Sequence, residues 1–358
     1  MNHASRSAIF TVATVLGIAV SAPVLAAEKV KMTIASGHPE VFLWVKHMKQ
    51  TFIPVLAAEL EKHGEIEIEW TQGYGGTIVK VGSEVEAFES GIIDVGHVNS
   101  VFNPATLGIM NLTYAMPFGP ADAELVAMAA ENALSETGMF DRLADTAGVV
   151  NIGGSIAIDD YNIASTDPIA TLADLKGVKV AGAGPNLAWL RTTGAVGVQG
   201  SYVTFYNEMK VGVYDANIGW MTANVPAKLY EVAPNWNLVH FGAMYVGGLG
   251  VSKQRWDTLS DNTKEAMKTA AAAYSKAYFE EQAARYDASK NTLLENGGKI
   301  IEFSATDRET WIKQMPNPVT EWKAAAEARG EDASAVLKAY QSALEKGGFT
   351  FVRDYLAN

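Results

Sequence analysis

Apolar positions follow a β-α-β-α-β rhythm from Val30 to Ser100. Val30–Ala35 is rich in strand formers, and Ser36-Gly37-His38-Pro39 ends the run. Val41, Trp44, Val45, Met48 and Phe52 then recur at i, i+3, i+4, i+7 and i+11, the spacing of one buried helix face. Pro54 is expected to kink or break that helix, because it removes a backbone donor. Ile66–Trp70 alternates and predicts a strand. Tyr74-Gly75-Gly76-Thr77 predicts a turn, Val79–Glu89 a helix, and Gly91–Ser100 a strand running into a loop.

A helical, acidic region spans Asp122–Leu143, and Val149–Ala164 is long and β-rich. The latter is expected to be the first crossing into a second domain. There, Val178–Ala181 predicts a strand that opens into the glycine corner Gly182-Ala183-Gly184, with Pro185 starting a helix. Tyr202–Val211 predicts another helix, Val213–Trp220 another strand, and Phe241–Val251 the return to the first domain. From Asp261 to Leu294 there is no Pro or Gly, and Ser260 is a good N-cap. At ~1.5 Å per residue this helix reaches roughly 50 Å, enough to lie across two domains. Lys299–Phe303 predicts a closing strand; helices over 307–329 and 333–345 finish the chain. The expected organisation is a signal peptide at 1–26 and an α/β domain of 27–152 plus 241–275. A second α/β domain comprises 153–240 plus 276–320, and C-terminal helices at 321–358 pack on the body.

The leader expectation rests on Arg6, an apolar stretch Ala8–Val20 too short to span a bilayer, and the small-residue site Val24-Leu25-Ala26. Without residues 1–26 the formal charge moves from −12 to −13, since only Arg6 is lost and 27 basic residues face 40 acidic ones. That acidity disfavours nucleic acid and anionic membranes as partners. The absence of cysteine excludes disulfides, thiolate metal sites, a cysteine nucleophile and a lipid-anchoring cysteine. There is no His-Glu-x-x-His, EF-hand or Walker loop; Gly153-Gly154-Ser155-Ile156-Ala157 fails as a nucleophile elbow at its last position. No cofactor or metal is expected, and a binding protein is favoured over an enzyme.

Asp174-Leu175-Lys176-Gly177-Val178-Lys179 entering a strand, a helix after it, then Gly212-Val213-Tyr214-Asp215, together resemble the solute receptors of TRAP (tripartite ATP-independent periplasmic) transporters, DctP type. Ala115-Met116-Pro117-Phe118 is similar to a turn of the same family. The resemblance covers essentially the whole mature chain. It implies a two-domain, periplasmic-binding-protein-like (Venus flytrap) α/β fold, a small organic ligand in the cleft, membrane permease subunits as partners, and a periplasmic location. A monomer is expected.

Open α/β sheets bind ligands beyond strand ends, and that rule selects the candidates. His38 donates to a ligand or caps the following helix. Tyr74 borders the cleft or merely forms a turn. The resemblance puts Asn99, Phe102 and Tyr161 at or near cleft positions and Tyr202 where family members stack an aromatic on the ligand. Asn186 and Trp189 follow the glycine corner, Trp189 as ligand wall or as core; Trp220 ends a strand. Three departures matter. The family's carboxylate-binding Arg is replaced by Ala181, its Asn-Pro by Gly219-Trp220, and its acidic or Arg-bearing site after the third strand by Asn99 and Phe102. Arg191, one turn into the expected helix, is offset from the missing position. The expected ligand is therefore a small organic anion, a monocarboxylate with an apolar or aromatic part, ahead of a neutral solute. A sensor partner or a secreted enzyme are the other function classes considered.

Overall fold

The computed structural model describes residues 1, 27–202 and 204–357. Apart from Met1, the expected leader lies outside the described residues. Among those residues no helix is long and apolar enough to cross a membrane.

Eleven described strands form two sheets. The first has the order β2 (Ile66–Gly73), β1 (Glu28–Ala35), β3 (Val95–His97), β10 (Leu249–Ser252) and β4 (Val149–Asn151). β1 runs parallel to β2 and β3, while β10 is antiparallel to β3 and β4. The second sheet has the order β11 (Lys299–Glu302), β9 (Asn235–Gly247), β5 (Ile156–Ser165), β8 (Ala216–Trp220), β6 (Lys179–Gly182) and β7 (Val196–Gln199). The mixed α/β architecture with two sheets is the one expected.

The chain passes between the sheets three times, once through a long helix and twice on glycines whose backbone other residues avoid. Gly153 (φ 88°) and Gly154 (φ 68°) separate β4 from β5, and a Cβ on Gly154 would meet Ala271 O at 3.1 Å. Gly247 (φ 114°) ends β9 just before β10; a Cβ there would sit 1.9 Å from Val98 O. The second crossing falls later than the expected Phe241. Gly242 does not end the strand; it sits in a left-handed conformation against Gly119 while β9 continues. β5 and β9 pair antiparallel with register shifts around Tyr161.

The helix Asp261–Glu295 links the two halves. Ser260 Oγ accepts from Thr263 N at 3.2 Å as N-cap. Met267, Ala270, Ala271 and Tyr274 are buried along one side. Tyr278 and Gln282 donate to Ala157 O of β5 at 3.2 and 3.0 Å, and Lys46 reaches Glu281 at 2.6 Å. Leu293 packs in the second sheet's core with Phe205 and Trp236.

Pro54 does not break its helix. Leu43–His47 continues through one π-helical stretch, Met48–Phe52, into Ile53–Glu61. Ile53 N bonds Met48 O, five residues back, so the ladder is already offset where Pro54 lacks a donor. Other expected helices are shorter. Gly82 (φ 87°) delays the helix expected at Val79 until Glu84, and Gly138 (φ 69°) splits the acidic region into Ala123–Glu136 and Met139–Ala147.

Candidate cleft between the two sheets

The end of β1 supplies the first wall. Ser36 Oγ accepts from His38 N at 3.1 Å, and Gly37 packs so closely that a Cβ would lie 2.3 Å from Val81 N. This turn holds the His38 ring 5.5 Å from both Phe42 and Trp44 and 5.3 Å from Phe102, centroid to centroid. Phe42 and Trp44 stack at 4.5 Å. Trp44 is 6.2 Å from His97, the last residue of β3.

The second wall comes from β5 and β8. Tyr161 and Trp220 oppose each other in the ladder and stack at 5.2 Å with 9° between ring planes. Tyr202 meets the Trp220 ring at 4.5 Å; its hydroxyl accepts from Trp220 N and donates to Asn224 Oδ1 at 2.6 Å. Phe42 and Tyr202, 6.5 Å apart and edge to face, join the two walls. The phenols of Tyr114 and Tyr161 share a hydrogen bond of 3.2 Å.

The charge state of this cluster follows from burial. Desolvation pushes His38 down to about 4 and His97 to about 3, so both rings are neutral at pH 7. His97, its two ring nitrogens included, and Trp44 Nε1 are buried without hydrogen-bond partners among the described residues. Unpaired buried donors of this kind are uncommon, and a bound acceptor would satisfy them. At the other wall Asp159 is buried and accepts from the backbone N (3.2 Å) and hydroxyl of Thr222. Burial pushes its carboxyl up to about 6. No ion pair or cation–π contact among the described residues puts a Lys or Arg on these rings. No group of three or more His, Asp or Glu among them is arranged for a metal ion.

Of the residues singled out from the sequence, His38, Phe102, Tyr161, Tyr202 and Trp220 meet in this cluster. Tyr74 lies at its edge, in the turn whose Gly75 N donates to His38 O at 2.9 Å. The other three have local roles. Asn99 caps a 3₁₀ turn, its Oδ1 accepting from Val101 N at 3.3 Å. Asn186 is folded into the glycine corner, where its Oδ1 leaves no room for a Cβ on Gly182 (2.3 Å). Trp189 is core: it is fully buried, its Nε1 donates to Tyr114 O at 2.9 Å, and its own carbonyl accepts from Trp311 Nε1 at 2.7 Å. The helix expected after Pro185 is a 3₁₀ segment, Gly184–Leu190, which turns these two side chains inward. Phe42, Trp44, His97, Asp159 and Thr222 were not among the sequence candidates. The helical stripe accounts for Trp44 without a ligand role, whereas the place of His97 at a strand end is a usable signal.

The arginine position is closed as well as vacant. Ala181 is fully buried beside Phe205, and Gly200 approaches both, with a hypothetical Cβ 3.3 Å from Ala181 Cβ and 2.7 Å from Phe205. Arg191 pairs with Glu321 at 2.6 Å beside a cavity lined by Pro104, Tyr114, Leu187 and Trp322, of which Tyr114 is the residue hydrogen-bonded to Tyr161.

Solved structures with this fold include a TRAP periplasmic solute-binding protein of Desulfovibrio salexigens, in an open complex with the C-terminus of a symmetry mate in its ligand-binding site. It is 18% identical at a TM-score of 0.72, over 88% of this chain and 96% of that one. An extracytoplasmic solute receptor of Bordetella pertussis that binds pyroglutamic acid is 19% identical, TM-score 0.72, over 87% and 100%. A Roseobacter denitrificans solute-binding protein with bound 3-deoxy-D-manno-oct-2-ulosonic acid is 19% identical, TM-score 0.71, over 87% and 99%. Residues 45–325 match the family model DctP, bacterial extracellular solute-binding protein family 7. The chain thus belongs to the DctP family, the extracytoplasmic solute receptors of TRAP transporters.

Proposed function

We propose that this receptor is periplasmic, released by cleavage after Ala26, and acts as a monomer. It captures a small monocarboxylate with an apolar or aromatic body and delivers it to the membrane permease of a TRAP transporter. The observation that carries the ligand class is the composition of the aromatic cluster. Its walls are rings, and its unpaired buried groups are the Trp44 indole N–H and the neutral His97 ring. Stacked rings contribute about 0.5–1.5 kcal/mol per pair beyond burial. Neutral donors suit one carboxylate better than two, because the bidentate guanidinium that would hold a second is replaced by Ala181. His38, Phe102, Tyr161, Tyr202 and Trp220 would line the ligand, with Tyr74 at the edge and Phe42, Trp44 and His97 added. Binding shifts the protein toward the closed state only by the contacts that both walls make together. The glycine-flanked crossings at 153–154 and 247–248 are where the chain would bend.

Calorimetry on the mature chain tests this with 3-phenylpropionate, its amide and succinate. The monocarboxylate is expected to bind at least about tenfold more tightly than either, and Trp220→Ala to weaken it. Tight succinate binding that survives Trp220→Ala would overturn the ligand class.

A further inference from the structure

The second wall holds one group that the monocarboxylate reading leaves unused. Asp159 stands two residues before Tyr161 on β5, and Thr222 two residues after Trp220. The β5–β8 ladder ends at the Tyr161–Trp220 pair; Thr222 lies in the short helix Met221–Asn224 that follows, and both its donors reach the Asp159 carboxylate. The acid thus sits one step beyond the stacked pair. Its field also reaches the phenols of Tyr161, Tyr202 and Tyr278.

Asp159 is a buried carboxylate without a counter-charge among the described residues, a state it shares with Glu84, which lies outside the aromatic cluster and accepts from Gly82 N. Asp159 is 6% exposed. Its neighbour Asp160 has His240 at 2.6 Å, Asp94 has Arg255 at 2.7 Å, and Glu281 has Lys46 at 2.6 Å. Asp159 has no cationic partner in the structure's described residues; Thr222 occupies one acceptor site on each oxygen. A carboxylate accepts about four hydrogen bonds, and burying one without a cation is costly. Around it are Tyr161, Tyr202 and Trp220, whose ring faces attract cations.

We propose that Asp159 is the specificity determinant of the second wall, taking a positively charged nitrogen of the solute against the Tyr161, Tyr202 and Trp220 rings. The solute is then a zwitterion, with its carboxylate toward Trp44 and His97 and its cationic nitrogen toward Asp159. This rests on the monocarboxylate reading above, and it narrows the ligand from plain organic acids to those that also carry an ammonium or amidinium group.

The test separates the cationic pole from everything else. Choline and its carbon isostere 3,3-dimethyl-1-butanol have the same shape and differ in charge. Each is titrated into the mature chain, followed by tryptophan fluorescence and calorimetry, in the native protein and in Asp159→Asn. Asparagine still offers an acceptor to Thr222, so a purely structural capping role survives the exchange. The expected result is saturable choline binding at least about tenfold tighter than that of the isostere, and about a tenfold loss in Asp159→Asn. Equal response to the two probes, no saturable choline binding, or full choline affinity in Asp159→Asn would each overturn the proposal. The native protein's preference between probes decides it if the variant does not fold. Should choline fail while 3-phenylpropionate binds, only this inference falls. Should choline bind while no carboxylate does, the monocarboxylate reading falls and the zwitterion with it, while the cation-binding role of Asp159 stands.

Discussion

The neutral state of His97 makes a measurable demand on stability. Desolvation at the buried end of β3 lowers its pKa from 6.5 to about 3. Between those values the unfolded chain binds more protons than the folded one, so this residue's contribution is fully present above pH 6.5. It is lost as pH falls through the window toward about 3. At pH 5 the folded value has not been reached, and the cost relative to pH 7 is governed by the unfolded value. A gap of 1.5 units at 1.36 kcal/mol each gives about 2 kcal/mol. His38, lowered to about 4 but only partly buried, adds to the same trend with a smaller weight. Asp159, His240 and the carboxyls of Glu84 and Glu131, both raised by burial, oppose it. Asp159, raised to about 6, contributes stability that is lost as pH rises through about 6, so acidification restores it. The hydrogen bond from His240 to Asp160 raises the His240 pKa, so its contribution is present below 6.5 and lost above the folded value. The raw pH profile therefore mixes signs, and a difference of differences is needed. Urea unfolding of the native chain and His97→Gln, followed by tryptophan fluorescence at pH 7 and pH 5, supplies it. The native chain is expected to lose about 2 kcal/mol more than the variant between the two pH values. Equal losses in both would refute the assignment of a neutral, desolvated His97.

Reinstating the family arginine as Ala181→Arg is expected to destabilise the fold by about 3 kcal/mol or more, because the charge would enter the closed core beside Phe205; a urea midpoint unchanged from the native one would show that the space is open. Trp189→Ala should cost about 3–5 kcal/mol by opening a cavity and orphaning Tyr114 O, measured by the same unfolding curves. Ser260→Ala should cost about 1 kcal/mol through loss of the N-cap of the long helix, read as a lower melting temperature with the cleft chemistry unaltered.

Local pattern determined a good deal here. The long helix from its Ser260 cap, the strands beginning near Val30 and Ile66, and the class of two α/β halves all follow from periodicity and punctuation, which act over neighbouring residues. The absence of an arginine at Ala181 was equally plain, since it is a statement about one position. Three things needed the tertiary structure. Pro54 sits inside a continuous helix because a π-helical stretch shifts the hydrogen bonds ahead of it, and no residue pattern announces that shift. Trp189 and Trp220 are similar in sequence, each near a strand end or corner. Only the packing separates them: a 3₁₀ segment turns Trp189 into the core, while β8 carries Trp220 to Tyr161 and Tyr202. Finally, His38, Trp44 and His97 come from three separate stretches of the first sheet's half, and Asp159 and Thr222 from two of the second. Their burial, and with it their charge state and missing partners, is a property of the assembled surroundings. Desolvation depends on every neighbour within a few ångströms, and those neighbours are gathered from sequence positions that local pattern cannot relate.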